Sequence, residues 1–465
     1  MTRQPGRDAD VVHWVDERLG AGRLVRKAMR YVFPEHWSFL LGEIALYSFV
    51  FLVLSGTFLA LFFSPDISTR EVYDGPFREL AGMEVTSAYR SSLDLSSTVP
   101  GGLLMRQAHH WAANVFIAAM LMHMIRVFFT GAFRRPRELI WMLGVVLLGL
   151  GIFEGFAGYS LPDDLMSGMG LAIAYAVAMS LPLVGGPFAG AVWGGEYPAT
   201  AIESRLFIVH VFIVPVVMAT VIAVHLALVA RHHHTQFPGR GRREDNTVGN
   251  PMWPGYALRS IGLLFLVSAV IVALGGLIQI NPIWQWGPYD INRSTNGAQP
   301  DWYLGWLIGA LRLTPPVELR IGDLTLIPNP FWGGVLFPTV VFTIALAYPF
   351  IERRLARDHR VHHLLDRPRD HPWRTGFGVA FLSWVVLVFY AGAADRVFYV
   401  FQISYEAQVH VYRVLVFVLP LVLFAVTKRT CEDLRRSGAR PARGGPPVSV
   451  IRRADGGFDS IPREE

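Results

Sequence analysis

Residues 103–129 read LLMRQAHHWAANVFIAAMLMHMIRVFF. The stretch can cross a bilayer as one helix, because about 20 residues rising ~1.5 Å each span the hydrocarbon core. Yet it contains His109, His110 and His123. Ionisable side chains inside a span are costly and usually functional. A second apolar stretch, Leu206 to Ala230, contains His210 and His225. His109 and His123 are 14 residues apart. At about 100° per residue they return to within ~40° of one face, ~21 Å apart along the axis. His210 and His225 are 15 residues apart, which leaves them ~60° from one face and ~22 Å apart.

Working outward from these two helices, eight stretches are predicted to span a membrane. Span A runs from Leu40 to Phe63, B from Leu103 to Phe129, C from Leu139 to Tyr159 and D from Leu206 to Ala230. Span E runs from Ala257 to Ile280, F from Trp332 to Phe350, G from Thr375 to Ala393 and H from Val411 to Val426. Span A is too long for a signal-peptide core and lacks a small-residue cleavage site, so it is expected to be retained. A ninth run, Leu171 to Leu183, is short and Ala/Gly-rich and reads as a surface or re-entrant hairpin helix. Composition agrees, with 52% hydrophobic and only 17% charged residues and a mean hydropathy of +0.37.

The net charge of +6 does not indicate nucleic acid. With an even span count both termini share one side, and 30 of the 42 Lys and Arg fall on that side. The positive-inside bias makes it the cytoplasmic side, so the chain reads as a multi-pass protein of a bacterial plasma membrane. Only Lys27 and Lys428 are lysines, an arginine excess that reflects a GC-rich genome. Val11 to Tyr31 spaces apolar residues among arginines, as an amphipathic helix lying on the lipid surface does. Cys431 is the sole cysteine, which excludes internal disulfides, Cys-based zinc sites and cysteine-held iron–sulfur clusters.

Spans B and D run in the same direction. His109 and His210 therefore share the outer level, and His123 and His225 the inner one. Two facing imidazole pairs stacked in a helix bundle make two bis-histidine sites. Packing histidines bonded to Ser, Thr or water are the plainer reading of any one of them, but not of four at matched depths. Two axial imidazoles suit six-coordinate haem iron and electron transfer; zinc would want four ligands. His110 points elsewhere and is left out of the ligand set. Gly42 and Gly56 in span A, and Gly144 and Gly158 in span C, repeat the 14-residue interval. Glycine in membrane helices lets bulky groups approach. Arg106, Arg126 and Arg205 lie near these histidines at the levels haem propionates would reach, although snorkelling anchors look the same.

These features, with Gly158-Tyr159-Ser160-Leu161-Pro162 and Pro300-Asp301-Trp302-Tyr303, resemble cytochrome b, the dihaem subunit of bc-type quinol–cytochrome c reductases. Pro300 to Tyr303 is similar to the Pro-Glu-Trp-Tyr signature of the outer quinol site. The 15-residue interval resembles the b6 and Gram-positive branch. The Asp variant, Leu161-Pro162-Asp163-Asp164 and the arginine richness resemble the actinobacterial subunit. The chain departs from the family at Asp301, where the pattern has Glu. It departs again early in span E, where Pro254-Gly255-Tyr256 leads to Ser260 and relatives carry an acid. An extra covalent haem is not expected, since Cys431 lies near the C-terminus.

The resemblance implies an all-α polytopic membrane protein with a dihaem four-helix bundle (spans A–D) and a C-terminal four-helix part. It divides the chain into a cytoplasmic amphipathic segment (1–39), a dihaem N-terminal domain (40–231), a C-terminal domain with the outer quinol-site loop (232–430) and a flexible cytoplasmic tail (431–465). It implies two haem b groups, an outer low-potential one on His109 and His210 and an inner high-potential one on His123 and His225. Quinol, by resemblance menaquinol, would be oxidised outside. One electron would go to a Rieske iron–sulfur subunit and the other inward to quinone, with proton translocation. That inward electron moves against the membrane potential, at about 2.3 kcal/mol per 100 mV for a full crossing.

Asp301 would accept a quinol proton, with Tyr303 and Tyr159 beside it and Gly170 giving the ring room. The plainer reading of Asp301 is a helix cap. His36, Trp37, Tyr256 and the cytoplasmic end of span D are candidates for the inner quinone site. A dihaem cytochrome c subunit, a terminal oxidase in a supercomplex, a second copy of the chain and the lipid membrane are the implied partners, and nucleic acid is not among them. Two rivals remain at this point. A dihaem membrane anchor of another quinone-linked oxidoreductase would leave spans E to H unexplained. A secondary transporter predicts internal repeats and broken helices, and no repeat is visible.

Overall fold

In the computed structural model the described residues are 20–294, 299–438, 448–452 and 458–462, with Trp14 and residues 16–18. Among them, eight helices are long and apolar enough to cross a membrane. They are Trp37–Ala60 (span A), Gly102–Phe129 (B), Glu138–Ser160 (C), Ala201–His232 (D), Met252–Leu277 (E), Trp332–Ala356 (F), Pro372–Gly392 (G) and Tyr405–Ser437 (H). All eight predicted spans are present. D, E and H begin five or six residues before their predicted starts, and F and H extend past their predicted ends. The strands are short two-stranded antiparallel pairs, such as Val32–Phe33 against Asn250–Pro251.

Spans A to D close into a ring in which A packs on B, B on C, C on D, and D on A. Span E lies outside this ring against A and B. Lipid removes the hydrophobic drive for helix pairing, so close approach at small residues matters more. At Gly275 of span E a Cβ would lie 2.7 Å from the Ala108 amide nitrogen of span B. Span F packs on C, and G packs on H and on the helix Trp302–Leu313. The C–D connection, where a surface or re-entrant hairpin helix was expected over Leu171 to Leu183, carries two helices, Leu165–Met179 and Gly185–Trp193.

At the N-terminus the described helix is Ala21–Met29, with Arg23, Arg26 and Lys27 on it. Residues 1–13, including Val11 and Val12 of the expected amphipathic stretch, lie outside the described residues. At the other end the last helix runs through Gly438, past the expected boundary at 430. Val448–Arg452 pairs with Phe458–Pro462. The rest of the tail expected to be flexible lies outside the described residues.

One ion-pair cluster ties the F–G loop to its neighbours. Arg374, 4% exposed, donates to both carboxylate oxygens of Glu352 and, at 2.7 Å, to Asp366. Asp366 also meets Arg134 at 2.9 Å and His371 at 3.1 Å. Burial alone would raise the Asp366 carboxyl, but these partners bring it down to about 2. Its stabilising contribution is therefore complete above the usual carboxylate range and is lost as pH falls toward that value. Arg374→Ala takes the guanidinium from the largely buried Glu352 and leaves Asp366 to Arg134 and His371 alone. It is expected to destabilise the fold by about 3–5 kcal/mol, read as a lower thermal midpoint of the detergent-solubilised protein.

Candidate functional site

The predicted histidine pairs come together. The ring centroids of His109 and His210 are 6.2 Å apart, with planes at 83°. His109 Nδ1 lies 2.9 Å from Ser55 Oγ. His210 Nδ1 lies 3.1 Å from the Glu154 carbonyl and 3.0 Å from its carboxylate. Engaging Nδ1 leaves Nε2 as the free ligating nitrogen and fixes the ring, as is usual for metal-binding histidine. His123 and His225 line a second cavity toward the N-terminal side.

A local irregularity in span D puts its two histidines in line. Val209–Ile213 forms a π-helical turn. Pro215 has no N–H to give the carbonyl of Val211, so the ladder there cannot be regular. A π-turn absorbs one extra residue. The 15-residue interval of span D thus matches the 14-residue interval of span B.

The glycines face imidazole edges. A Cβ at Gly56 would lie 3.1 Å from His109 Cε1, and one at Gly42 would lie 3.2 Å from His123 Cε1. One at Gly158 would collide with the His210 ring. Gly144 meets nothing within 4 Å and opens onto the cavity of His123 and His225. Three of the four expected clearances therefore serve the histidines directly. Gly158→Ala is expected to displace His210 and to diminish the haem absorption in a redox difference spectrum; an unchanged spectrum would remove the steric role.

The arginines separate. Arg106 donates to Ser96 at 3.0 Å and to the Asn281 carbonyl at 3.1 Å, leaving Nη2 buried without a partner. Arg126 lies 4.3 Å above the Phe39 ring, with Nε and Nη2 buried and unpartnered. Arg205 instead donates to the carbonyls of Ala191 and Val192 on the C–D hairpin and does not line the outer cavity.

Beside the outer pair, a 230 Å³ cavity is lined by Tyr159, Asp301 and Tyr303. Asp301 precedes the helix Trp302–Leu313, but its side chain makes no capping bond. It lies 2.7 Å from His110 Nε2 and accepts from the Tyr303 hydroxyl at 2.7 Å. Burial raises the Asp301 carboxyl, yet His110 and the hydrogen bonds from His110 and Tyr303 outweigh that and hold it below the usual carboxylate range. A Cβ at Gly170 would strike the Tyr159 hydroxyl, so the space expected for a quinol ring at that glycine is taken by Tyr159.

The inner cavity is larger, 1520 Å³, and His36, Trp37 and Tyr256 line it as expected. Three residues bearing on these sites escaped the sequence reading. His110 is no ligand but orients the carboxylate. Glu154 and Glu43 are acids inside spans, and that cost was the signal that could have found them.

The family model Cytochrome b(N-terminal)/b6/petB matches residues 114–288. The cytochrome bc1 complex cytochrome b subunit of Streptomyces coelicolor is 44% identical over 443 residues, covering 95% of this chain and 81% of that protein. The same subunit of Corynebacterium efficiens is 44% identical, covering 97% and 82%, and that of Mycobacterium tuberculosis 42% identical, covering 94% and 80%. A solved chain of a hyperthermophilic respiratory complex III has the same fold, with a TM-score of 0.65 at 21% identity over 90% of this chain and 98% of that one. With spans, histidine pairs and outer carboxylate in place, the chain belongs to the family of cytochrome b subunits of the cytochrome bc1 complex, the quinol–cytochrome c oxidoreductase that carries haem b.

Proposed function

We propose that this chain oxidises quinol at its outer cavity and reduces quinone at its inner one, coupling the two to proton translocation. The observation that carries the reading is the His109–His210 pair, 6.2 Å apart, beside a carboxylate held by His110 and Tyr303. The residues fit two haem b groups, an outer low-potential one on His109 and His210 and an inner high-potential one on His123 and His225. The unpartnered guanidinium nitrogens of Arg106 and Arg126 are aimed for anions that arrive with such groups. When bound, these haems supply a one-electron path between the membrane faces.

The protein side of the chemistry is proton handling and placement. Asp301 stays ionised beside the outer cavity and accepts a proton from quinol, while His110 and Tyr303 fix which oxygen faces it. Tyr159 walls the ring. One electron leaves to a Rieske iron–sulfur subunit, because this chain lacks cysteines for a cluster. A dihaem cytochrome c subunit and a terminal oxidase follow, and menaquinol is the substrate that the actinobacterial resemblance favours. Both termini lie on the cytoplasmic face, where the basic residues gather, and the subunit works as a homodimer.

A redox difference spectrum of the purified complex, reduced by quinol, tests this reading. Two b-type haems of different potential are expected. Absence of haem absorbance would sink this reading.

A further inference from the structure

We propose that Glu43 is the proton donor to a quinone bound in the inner cavity. This rests on the reading above, in which quinone is reduced on the cytoplasmic side. The inner cavity is 1520 Å³ against 230 Å³ for the outer one. Each is bordered by one pair of imidazoles, so a group held between His123 and His225 leaves much of the inner cavity for a second, largely apolar occupant. Glu43 lies in the wall of that cavity. It sits one residue beyond Gly42, whose face is given to His123, so its side chain turns about 100° away toward span E.

There it is held from several directions. The Tyr256 hydroxyl donates to one carboxylate oxygen at 2.7 Å, and the Ser260 hydroxyl donates to the other at 2.6 Å. Tyr47, on its own span, reaches the second oxygen at 3.4 Å and also contacts Ser260. The Tyr256 ring is fixed by stacking on Phe33 at 3.7 Å between centroids. A carboxylate within a span is costly, and hydroxyls alone could tie A to E. A carboxyl adds the capacity to give up and regain a proton. The cytoplasmic mouth of the same cavity carries Lys27, Glu35 and Arg259, with the last two paired at 2.8 Å and exposed.

The chemistry balances without a further reactant. Quinone is the oxidant and takes two electrons, one from each of two successive quinol oxidations at the outer site, the other electron of each leaving to the Rieske subunit. With each electron one proton passes from the Glu43 carboxyl to a quinone carbonyl oxygen, forming an O–H bond. The carboxylate is reprotonated from the cytoplasm through the mouth.

The test uses the whole complex with Glu43→Gln and Glu43→Asp, and added menaquinone as probe. In E43Q quinol should still reduce both haems, while reoxidation by menaquinone slows at least 10-fold; E43D should regain part of the rate. In the unmodified complex, infrared difference spectra taken on menaquinone reduction should show a carboxyl band that E43Q lacks. Reoxidation of E43Q at the wild-type rate overturns the proposal. Should E43Q not assemble, absence of any carboxyl band in the unmodified complex overturns it. Failure of menaquinone to reoxidise the unmodified complex would instead sink the underlying reading of the inner cavity.

Discussion

A His210→Leu variant of the complex is expected to lose one of the two b-type haem absorptions and to stop turning over quinol. Leucine fills the imidazole's volume but offers the iron no lone pair. Losing an outer-shell partner of a metal ligand typically costs about 10–100-fold in affinity or activity, and losing the ligand itself costs more, so turnover should fall by at least that factor. The remaining pair is not in contact with His210, because His123 and His225 line the separate inner cavity. The surviving absorption should therefore belong to the higher-potential haem. The complementary His225→Leu should leave the lower-potential one. A redox titration of each variant checks both. If both absorptions persist in His210→Leu, the ligand assignment is wrong.

Asp301→Asn should slow quinol oxidation by about 10²–10⁴-fold, the usual contribution of a positioned general base, while both haem spectra stay intact. Asparagine keeps an oxygen for the Tyr303 hydroxyl but cannot take a proton. The sign of the pH dependence follows from the structure. The His110 and Tyr303 contacts outweigh burial and hold the Asp301 carboxyl below the usual range. The group thus remains an acceptor throughout the neutral range, and its acid limb lies below the ordinary carboxylate value of about 3.9. Wild-type rates should not fall through this group until the pH drops below that value. The checks are pre-steady-state reduction of the haems by quinol and its pH profile. A variant that oxidises quinol at the normal rate would assign Asp301 a structural role only.

The spans and the histidines were legible because both are one-dimensional signals. About 20 apolar residues must cross the bilayer as a helix, since no other local backbone satisfies its hydrogen bonds there. Four histidines at intervals of 14 and 15 residues within such helices define two depths without reference to any neighbour. The outer carboxylate was legible through the resemblance at Pro300 to Tyr303. What escaped was pairwise. Arg205 stands as close in sequence to His210 as a propionate anchor should, yet the C–D hairpin offers the carbonyls of Ala191 and Val192 and captures it. Gly170 reads as a vacancy for a ligand, yet Tyr159 of the preceding helix fills it. His110 reads as a by-product of its neighbour until the E–F loop brings Asp301 to it.

The sequence by itself determined the number of crossings and the spacing of the imidazoles along each helix, because bilayer thickness and helix rise act along a single chain. The tertiary structure alone decided which acids and donors meet. The π-turn before Pro215 realigns His210 with His225, and the approach of span E to span A joins Glu43 to Tyr256 and Ser260, more than 200 residues away. Hydrogen bonds of that kind depend on distances of a few tenths of an ångström between distant segments, and no periodicity along the chain encodes them.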